Sequence, residues 1–219
     1  MPHYDSLSGA SVSTPTQRIT LGLGCFWGPE AWLGALEGVV HTCTGYAGGT
    51  TPHPVYRQMG DHSETIQLDY RPDVLPLETL LQLFWERHRP EGINTYKDSR
   101  QYRSIILYDQ PFQLDIIQRL QNEQQARQST EVQLCTAFYP AEERHQKYYL
   151  QRRPDVLAAL ESLFTNREQA LQSLLAARLN GWSREALTAA DIIAELDHWQ
   201  EPLDEQQREQ YRALLLSLT

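Results

Sequence analysis

The sequence predicts an α+β protein in which a mixed sheet carries packed helices and is followed by an all-helical region. Segments of alternating apolar residues are interspersed with segments of helical spacing up to about Gln151, which is typical of helices packed on a sheet. After Pro154 the chain is rich in Ala, Leu, Gln and Glu and has no strand pattern. Residues 1–16 are polar and rich in Ser and Thr. We therefore expect a flexible arm at 1–16, a folded domain at 17–154 and a helical extension at 155–219.

The first predicted elements surround Cys25. Apolar residues alternate with small or polar ones over residues 18–24, which predicts a short strand. A helix is expected next, closed by Gly38, because four apolar residues follow at helical spacing: Trp32, Ala35, Leu36 and Val39. The stretch 45–54 is rich in Gly, Pro and Thr and is expected to form a long loop.

Predicted strands and helices continue to alternate through the rest of the domain. Its best helical stripe begins at Leu77, with Leu80, Leu81, Phe84 and Trp85 on one face. The expected elements are, in order, a strand from Glu64 to Tyr70, a helix from Leu77 to near Pro90, a strand at 104–108, a helix at 111–127, a strand at 131–137 and a short helix at 141–151.

Composition excludes several classes of partner. The 219 residues include 28 acidic and 19 basic residues, a net charge of -9, which argues against nucleic acid or an anionic membrane as the main partner. No window is apolar over the length of a membrane span, and the N-terminus lacks the pattern of a secretion signal. Three cysteines are too few for a disulfide framework, so a cytoplasmic protein with reduced thiols is expected.

Cys25 lies where the first strand gives way to the first helix. A thiol in the first turn of a helix faces free backbone N–H groups, and these favour the reactive thiolate. Phe26 and Trp27 follow it directly and would form an apolar wall beside a nucleophile. A lone cysteine in such a turn is more often a buried structural residue. Two bulky aromatics directly after the thiol are harder to explain by packing alone.

The same turn also imitates a dinucleotide-binding loop. Gly22, Gly24 and Gly28 follow a strand and precede a helix, but their spacing is G-x-G-x-x-x-G and not the strict form. Pro29 has no backbone N–H to offer a pyrophosphate. We therefore favour the thiol interpretation.

Ordered motifs extend the pattern around Cys25. Over residues 18–153 the sequence resembles the methionine sulfoxide reductase A family in the segments Gly24-Cys25-Phe26-Trp27-Gly28, Gly45-Tyr46-Ala47-Gly48-Gly49, Pro54-Val55-Tyr56, Gly60-Asp61-His62-Ser63-Glu64, Gln101-Tyr102-Arg103-Ser104 and Phe138-Tyr139-Pro140-Ala141-Glu142. The resemblance implies a ferredoxin-like two-layer core. It also implies a peptide-methionine (S)-S-oxide reductase, an oxidoreductase that repairs proteins after oxidative stress.

The resemblance implies a role for each matching residue. Cys25 would attack the sulfoxide sulfur, and Glu64 would protonate the sulfoxide oxygen with hydrogen bonds from Tyr56 and Tyr102. This chemistry needs a neutral carboxyl group near pH 7, which a Glu provides only when burial raises its pKa. Tyr hydroxyls can donate to the developing oxyanion.

The same resemblance assigns the substrate-binding residues. Phe26 and Trp27 would hold the substrate methyl group. The family places a substrate-contacting Asp before its Gln-Tyr-Arg-Ser motif, and Asp98 is the nearest candidate in a segment that is shorter here. No Cys or His spacing suggests a metal site, and we expect neither a metal nor a bound cofactor.

The C-terminus departs from the family pattern. Many relatives end in a Gly-rich tail with a resolving cysteine, but no cysteine follows Cys135. We expect Cys43 and Cys135 to be structural, so that thioredoxin, glutaredoxin or a small thiol reduces the Cys25 sulfenic acid directly. One hypothesis is that the helical extension shields the site or recruits this reductant.

Two other classes of function stay open at this point. One is a different thiol enzyme that uses Cys25 to reduce peroxides or transfer acyl groups. The other is a catalytically degenerate relative that serves as an interaction module.

Overall fold

The computed structural model describes residues 15–88, 100–199 and 203–219. Nearly all of the predicted arm at 1–16 lies outside these residues. The strands are β1 (Gln17–Leu23), β2 (Val39–Ala47), β3 (Ser63–Tyr70), β4 (Ser104–Tyr108), β5 (Glu131–Leu134) and β6 (Phe138–Pro140). The helices are α1 (Trp27–Gly34), α2 (Leu77–Glu86), α3 (Pro111–Asn122), α4 (Pro154–Glu161), α5 (Arg167–Gln172), α6 (Leu174–Trp182), α7 (Ala189–Leu196) and α8 (Glu205–Leu216).

The strands form one mixed sheet in the order β5-β4-β1-β3-β2-β6. Only the β4–β5 pair is parallel in the described part of the sheet, and the other pairs are antiparallel. Thr20 of β1 pairs with Gln67 of β3 on one side and Leu107 of β4 on the other. The α+β class and the mixed sheet expected from the sequence are confirmed.

The sequence analysis missed two strands, β2 and β6. Val39 opens β2 and is not the last residue of the first helix, because α1 ends at Gly34 and Gly38, with φ of 92°, turns the chain into the sheet. Gly45 lies in β2, and a Cβ there would collide with the Phe138 ring of β6. This glycine permits close strand packing, which composition alone could not distinguish from a loop.

The prediction of a helix at 141–151 was also wrong. The chain forms two short 3₁₀ turns there, Glu143–His145 and Leu150–Arg152. Between them Lys147 adopts a φ of 47°, and its backbone N–H donates to the buried Glu30 carboxylate at 2.8 Å. A helix cannot continue through that conformation. Likewise α3 ends at Asn122, and a 3₁₀ turn occupies Gln125–Ser129.

The last five helices build a second apolar cluster around Leu160, Leu175 and Leu179. This region packs directly on α1. A Cβ on Gly34 would lie 2.9 Å from the Ala177 carbonyl oxygen, and one on Gly181 would lie 2.8 Å from the Ala35 Cβ. Small residues thus let α6 approach the helix that follows Cys25. No helix in the described ranges is long and apolar enough to cross a membrane.

Candidate active site

Cys25 occupies the sharp turn between β1 and α1. Gly24 has a φ of 97°, a conformation that suits glycine, and Phe26 is the N-cap residue of α1. This geometry leaves Cys25 exposed at the end of the central strand. The thiol is therefore accessible, and the interpretation of Cys25 as a buried structural cysteine does not fit.

Glu64 lies beside this turn, near the start of β3. Its side chain is buried, and Oε2 accepts a hydrogen bond from the Phe26 backbone N–H at 3.0 Å. Oε1 accepts one from the Gln101 side-chain amide at 2.8 Å. Burial raises the pKa of Glu64 above its usual value, against the opposing effect of the hydrogen bonds from Gln101, Phe26 and Cys25. This is the direction that keeps a carboxylic acid neutral at higher pH.

The thiol itself is less activated than its position at a helix start suggested. Although the residue is exposed, partial desolvation of its sulfur raises the pKa of Cys25, and the charge and hydrogen bonding of Glu64 raise it further. A hydrogen bond from the Trp27 backbone N–H acts in the opposite direction but does not prevail. The protonation states of the Cys25 thiol and the Glu64 carboxyl group are therefore coupled.

Tyr56 and Tyr102 converge on the same cluster. Burial and the neighbouring Glu64 charge raise the pKa of both hydroxyls, that of Tyr102 to about 12. The Gln101 amide donates to the Tyr102 hydroxyl at 3.1 Å as well as to Glu64. Both hydroxyls therefore keep their protons across the physiological range and can donate hydrogen bonds. Gln101 was quoted in a motif but received no role in the sequence analysis.

Trp27 lines a pocket of about 840 Å³ together with Tyr56, His145 and Tyr148. Its indole N–H donates to His145 Nδ1 at 3.2 Å, and Tyr148 stacks on its ring at 3.7 Å between centroids. Phe26 is fully buried and packs near His145, so it lies beneath this pocket and not in its wall. No sequence pattern predicted the contact of Tyr148 with Trp27.

The remaining sequence-predicted residues are less informative. Asp98 lies outside the described residues, so its contact with substrate stays a prediction. His62 accepts from the Gly49 N–H and contacts the Thr51 carbonyl, which is a structural role. The described ranges contain no group of three or more His, Cys, Asp and Glu side chains that could hold a metal ion.

A buried ion pair anchors the first turn of α1. Lys147 Nζ donates to Glu30 Oε1 at 2.8 Å and to the Thr42 carbonyl at 2.7 Å, and both charged side chains are almost fully buried. Glu30 belongs to the first turn of α1, so this pair ties the Cys25 turn to β2 and to the segment after β6. Such a contact between residues distant in sequence has no local signature.

The other two thiols lie away from Cys25. Cys135 Sγ is 3.8 Å from Thr20 Oγ1, and Cys43 pairs across the sheet with Gln67, which itself pairs with Thr20. Strands rise about 3.3 Å per residue, so Thr20 is roughly 10 Å from the end of β1, and Cys25 lies beyond it. A disulfide needs Cα atoms within about 7 Å. Burial also raises the pKa of Cys43 to about 11, so its thiol is poorly reactive.

Fold and site together describe an enzyme with an exposed thiol, an adjacent buried acid and two tyrosine hydroxyls. The sequence profile of the peptide methionine sulfoxide reductase family matches residues 17–174. A Drosophila melanogaster peptide methionine sulfoxide reductase is 41% identical over 78% of this chain and 70% of its own length. A Vibrio vulnificus relative of the same name is 39% identical over 67% of this chain and 76% of its own length. The chain belongs to the peptide methionine sulfoxide reductase family.

Solved structures agree with this assignment. The Saccharomyces cerevisiae protein Mxr1 in reduced form superposes with a TM-score of 0.55 at 27% identity, over 68% of this chain and 93% of that chain. The Corynebacterium diphtheriae methionine sulfoxide reductase A gives a TM-score of 0.53 at 28% identity, over 66% of this chain and 77% of that chain. The family match ends within the C-terminal helices, at Leu174, the first residue of α6.

Proposed function

We propose that this chain reduces the S-epimer of methionine sulfoxide, free or within proteins, with Cys25 as nucleophile and Glu64 as acid. The observation that carries the proposal is the position of Glu64. Its buried carboxyl group touches the backbone N–H of the residue next to Cys25 and has a raised pKa. An exposed sulfur nucleophile beside a buried acid with a raised pKa suits reduction of a sulfoxide, because the sulfoxide oxygen needs a proton donor.

In the proposed reaction the Cys25 sulfur attacks the sulfoxide sulfur while Glu64 protonates the oxygen. The oxygen passes to Cys25, methionine leaves, and Cys25 becomes a sulfenic acid. Tyr56 and Tyr102 donate hydrogen bonds to the oxygen as negative charge develops on it. The raised pKa values of both hydroxyls support this role, since neither would be ionised at neutral pH.

The substrate methyl group would rest against Trp27, with Phe26 as the floor beneath it and Asp98 contacting the rest of the substrate. Trp27 lines this pocket together with Tyr56, whose hydroxyl is close enough to Glu64 and Cys25 for their charges to raise its pKa, and this supports the orientation. His145 and Tyr148 would hold the indole in place through the hydrogen bond and stacking described above.

Recycling would use an external thiol: thioredoxin, glutaredoxin or a small thiol. The distance of Cys43 and Cys135 from Cys25, and the raised pKa of each, support a single-thiol cycle. That the protein works in a reducing, cytoplasmic compartment stays a prediction from its three cysteines.

We further propose that the core is ferredoxin-like and that 17–154 forms the reductase domain, with a flexible arm before it and a helical extension at 155–219. The run β1-α1-β2-β3-α2-β4 with strand order β4-β1-β3-β2 supports the first point. The packing of α6 on α1 supports an extension that shields one side of the site.

A direct assay tests the proposal. The purified chain is given each epimer of methionine sulfoxide with dithiothreitol, and methionine is quantified. We expect turnover of the S-epimer alone and none with Cys25→Ser. Reduction of neither epimer by a folded protein with a reactive Cys25 would refute the proposal and favour the other thiol chemistries.

A further inference from the structure

A second pocket, of about 580 Å³, opens on Cys25 and shares no lining residue with the pocket beside Trp27. One wall is the start of α1 with Trp32, and Arg87 adds to it from the end of α2. The turn after α6 forms another part of the lining, with Arg184 and Glu185. This turn lies beyond residue 174, where the family match ends, so the C-terminal helices contribute a surface beside the thiol.

The turn after α6 is firmly built. Glu185 adopts a φ of 59°, and the Ala186 N–H donates to the Gly181 carbonyl at 3.0 Å, a pattern that closes a helix C-terminus. Gly181 is also where α6 touches α1. The position of Arg184 relative to Cys25 is therefore set by helix packing and not by a loose loop.

The charges of this pocket are unbalanced. Arg87 and Arg184 have no carboxylate partner among the described residues, and their guanidinium groups lie over the Trp32 and Tyr149 rings at 5.0 and 5.3 Å. Glu185 also lines the pocket, so among its described lining residues two cations face one carboxylate, in a chain of net charge -9. Neither arginine sets the pKa of Cys25, which reflects burial, Trp27 and Glu64.

We propose that this pocket binds a small thiol bearing a carboxylate, which reduces the Cys25 sulfenic acid. Arg87 and Arg184 bind the carboxylate while the thiol sulfur reaches Cys25. The inference rests on the proposed function, because that reaction generates the sulfenic acid. Exposed arginines can form charge-assisted hydrogen bonds with a carboxylate that enters the pocket.

The chemistry balances with two thiols. The first thiol forms an S–S bond to Cys25 as the S–O bond breaks, and the oxygen leaves as water with the thiol proton. A second thiol then attacks the mixed disulfide, which releases the free disulfide and returns the Cys25 thiol. Displacement at sulfur favours approach opposite the departing oxygen. Glu64, which handles that oxygen, does not line this pocket.

The test uses thiols with the same carbon chain and different end groups. Mercaptohexanoate is anionic, mercaptohexanol is neutral, and their thiols have nearly equal intrinsic reactivity. Cys25 is first oxidised with one equivalent of methionine sulfoxide, and the loss of the sulfenic acid is then followed by trapping and mass spectrometry. We expect the anionic thiol to react faster with the wild-type protein, and high salt to reduce its advantage.

Arginine variants test whether Arg87 and Arg184 cause the difference in rate between the anionic and the neutral thiol. The ratio of the two rates should fall by about three- to tenfold in R87Q/R184Q, since an exposed charge pair contributes up to about fivefold. In R184E the ammonium analogue aminohexanethiol should become the better reductant. R119Q removes an exposed arginine on α3 that lies outside the pocket and should keep the wild-type ratio.

Three outcomes would overturn the inference. Equal rates for the two thiols with the wild-type protein would show that the arginines do not select charge. An unchanged ratio in R87Q/R184Q, or reduction by a protein dithiol alone, would place recognition elsewhere. Failure to form any sulfenic acid would instead refute the proposed function on which the inference rests.

Discussion

The Glu64 carboxylate accepts a hydrogen bond of 3.0 Å from the backbone N–H of Phe26, the residue that follows Cys25. This contact joins the start of β3 to the turn that carries the thiol. It holds the acid beside the nucleophile, while burial raises the pKa of Glu64 and Glu64 in turn raises the pKa of Cys25. The two groups therefore have to be tested as a coupled pair.

Glu64→Gln should slow sulfoxide reduction by about 10²–10⁴-fold, the usual contribution of a general acid. Glutamine can still accept from the Phe26 N–H, so the fold should persist. Single-turnover formation of methionine measures the rate, and circular dichroism checks folding. Glu86→Gln, on the exposed face of α2, is the matched control. A wild-type rate in Glu64→Gln would mean that the proton comes from another group.

The pH dependence of kcat/KM should change in the same variant. The reactive form, thiolate with neutral acid, has the same number of protons as thiol with carboxylate. Wild-type activity should therefore be level between the raised pKa values of Glu64 and Cys25 and fall on either side. In Glu64→Gln the plateau should be replaced by a rise with pH up to the Cys25 pKa.

Thiolate absorbance gives an independent reading of this coupling. Removal of the Glu64 charge takes away contributions that raise the pKa of Cys25, so the thiol of Glu64→Gln should titrate at lower pH than in the wild type. An equal or higher pKa would contradict the electrostatic coupling.

Cys43→Ser and Cys135→Ser should leave thiol-supported turnover intact. Neither residue lies within disulfide reach of Cys25, and burial raises the pKa of both thiols. After one equivalent of methionine sulfoxide, mass spectrometry should detect one added oxygen on Cys25. A Cys25–Cys43 or Cys25–Cys135 disulfide would instead establish an internal resolving cysteine.

Lys147→Met should reduce the free energy of unfolding by about 3–5 kcal/mol, because it leaves the buried Glu30 carboxylate without its partner. Denaturant unfolding followed by fluorescence measures the loss. The double variant Glu30→Gln/Lys147→Met should recover part of it, since no unpaired charge is then buried. Arg119→Met breaks an exposed pair with Glu78 and should cost at most about 1 kcal/mol. Similar losses in the two single variants would show that the buried pair has no special importance.

Gly181→Ala should destabilise the protein by about 1–3 kcal/mol, because the new methyl group would lie 2.8 Å from the Ala35 Cβ. Displacement of α1 should also slow sulfoxide reduction. Gly28→Ala is the stability control within α1, since a Cβ at that position meets nothing within 4 Å. Thermal unfolding compares the two variants. Equal stability of Gly181→Ala and the wild type would contradict close packing of α6 on α1.

The sequence by itself determined much of the local structure and the candidate residues. Alternation identified β1 and β3, the strand expected at 104–108 is β4, helical spacing identified α2, and the ordered motifs singled out Cys25, Glu64, Tyr56 and Tyr102. These signals are local, because a strand or an amphipathic helix repeats its apolar residues at a fixed period. Strand β2 was not predicted, because the glycine-rich composition around Gly45 is that of a loop. The glycine instead permits close contact with β6.

Only the tertiary structure decided how the chemistry is arranged. It brings Glu64 and Gln101 to the Phe26 turn, buries Lys147 against Glu30, and places Arg184 of the C-terminal helices beside Cys25. It also raises the pKa of Cys25, whereas a helix start alone suggested an activated thiolate. Burial and charge neighbours depend on residues far apart in the chain, and no periodicity in one segment encodes them.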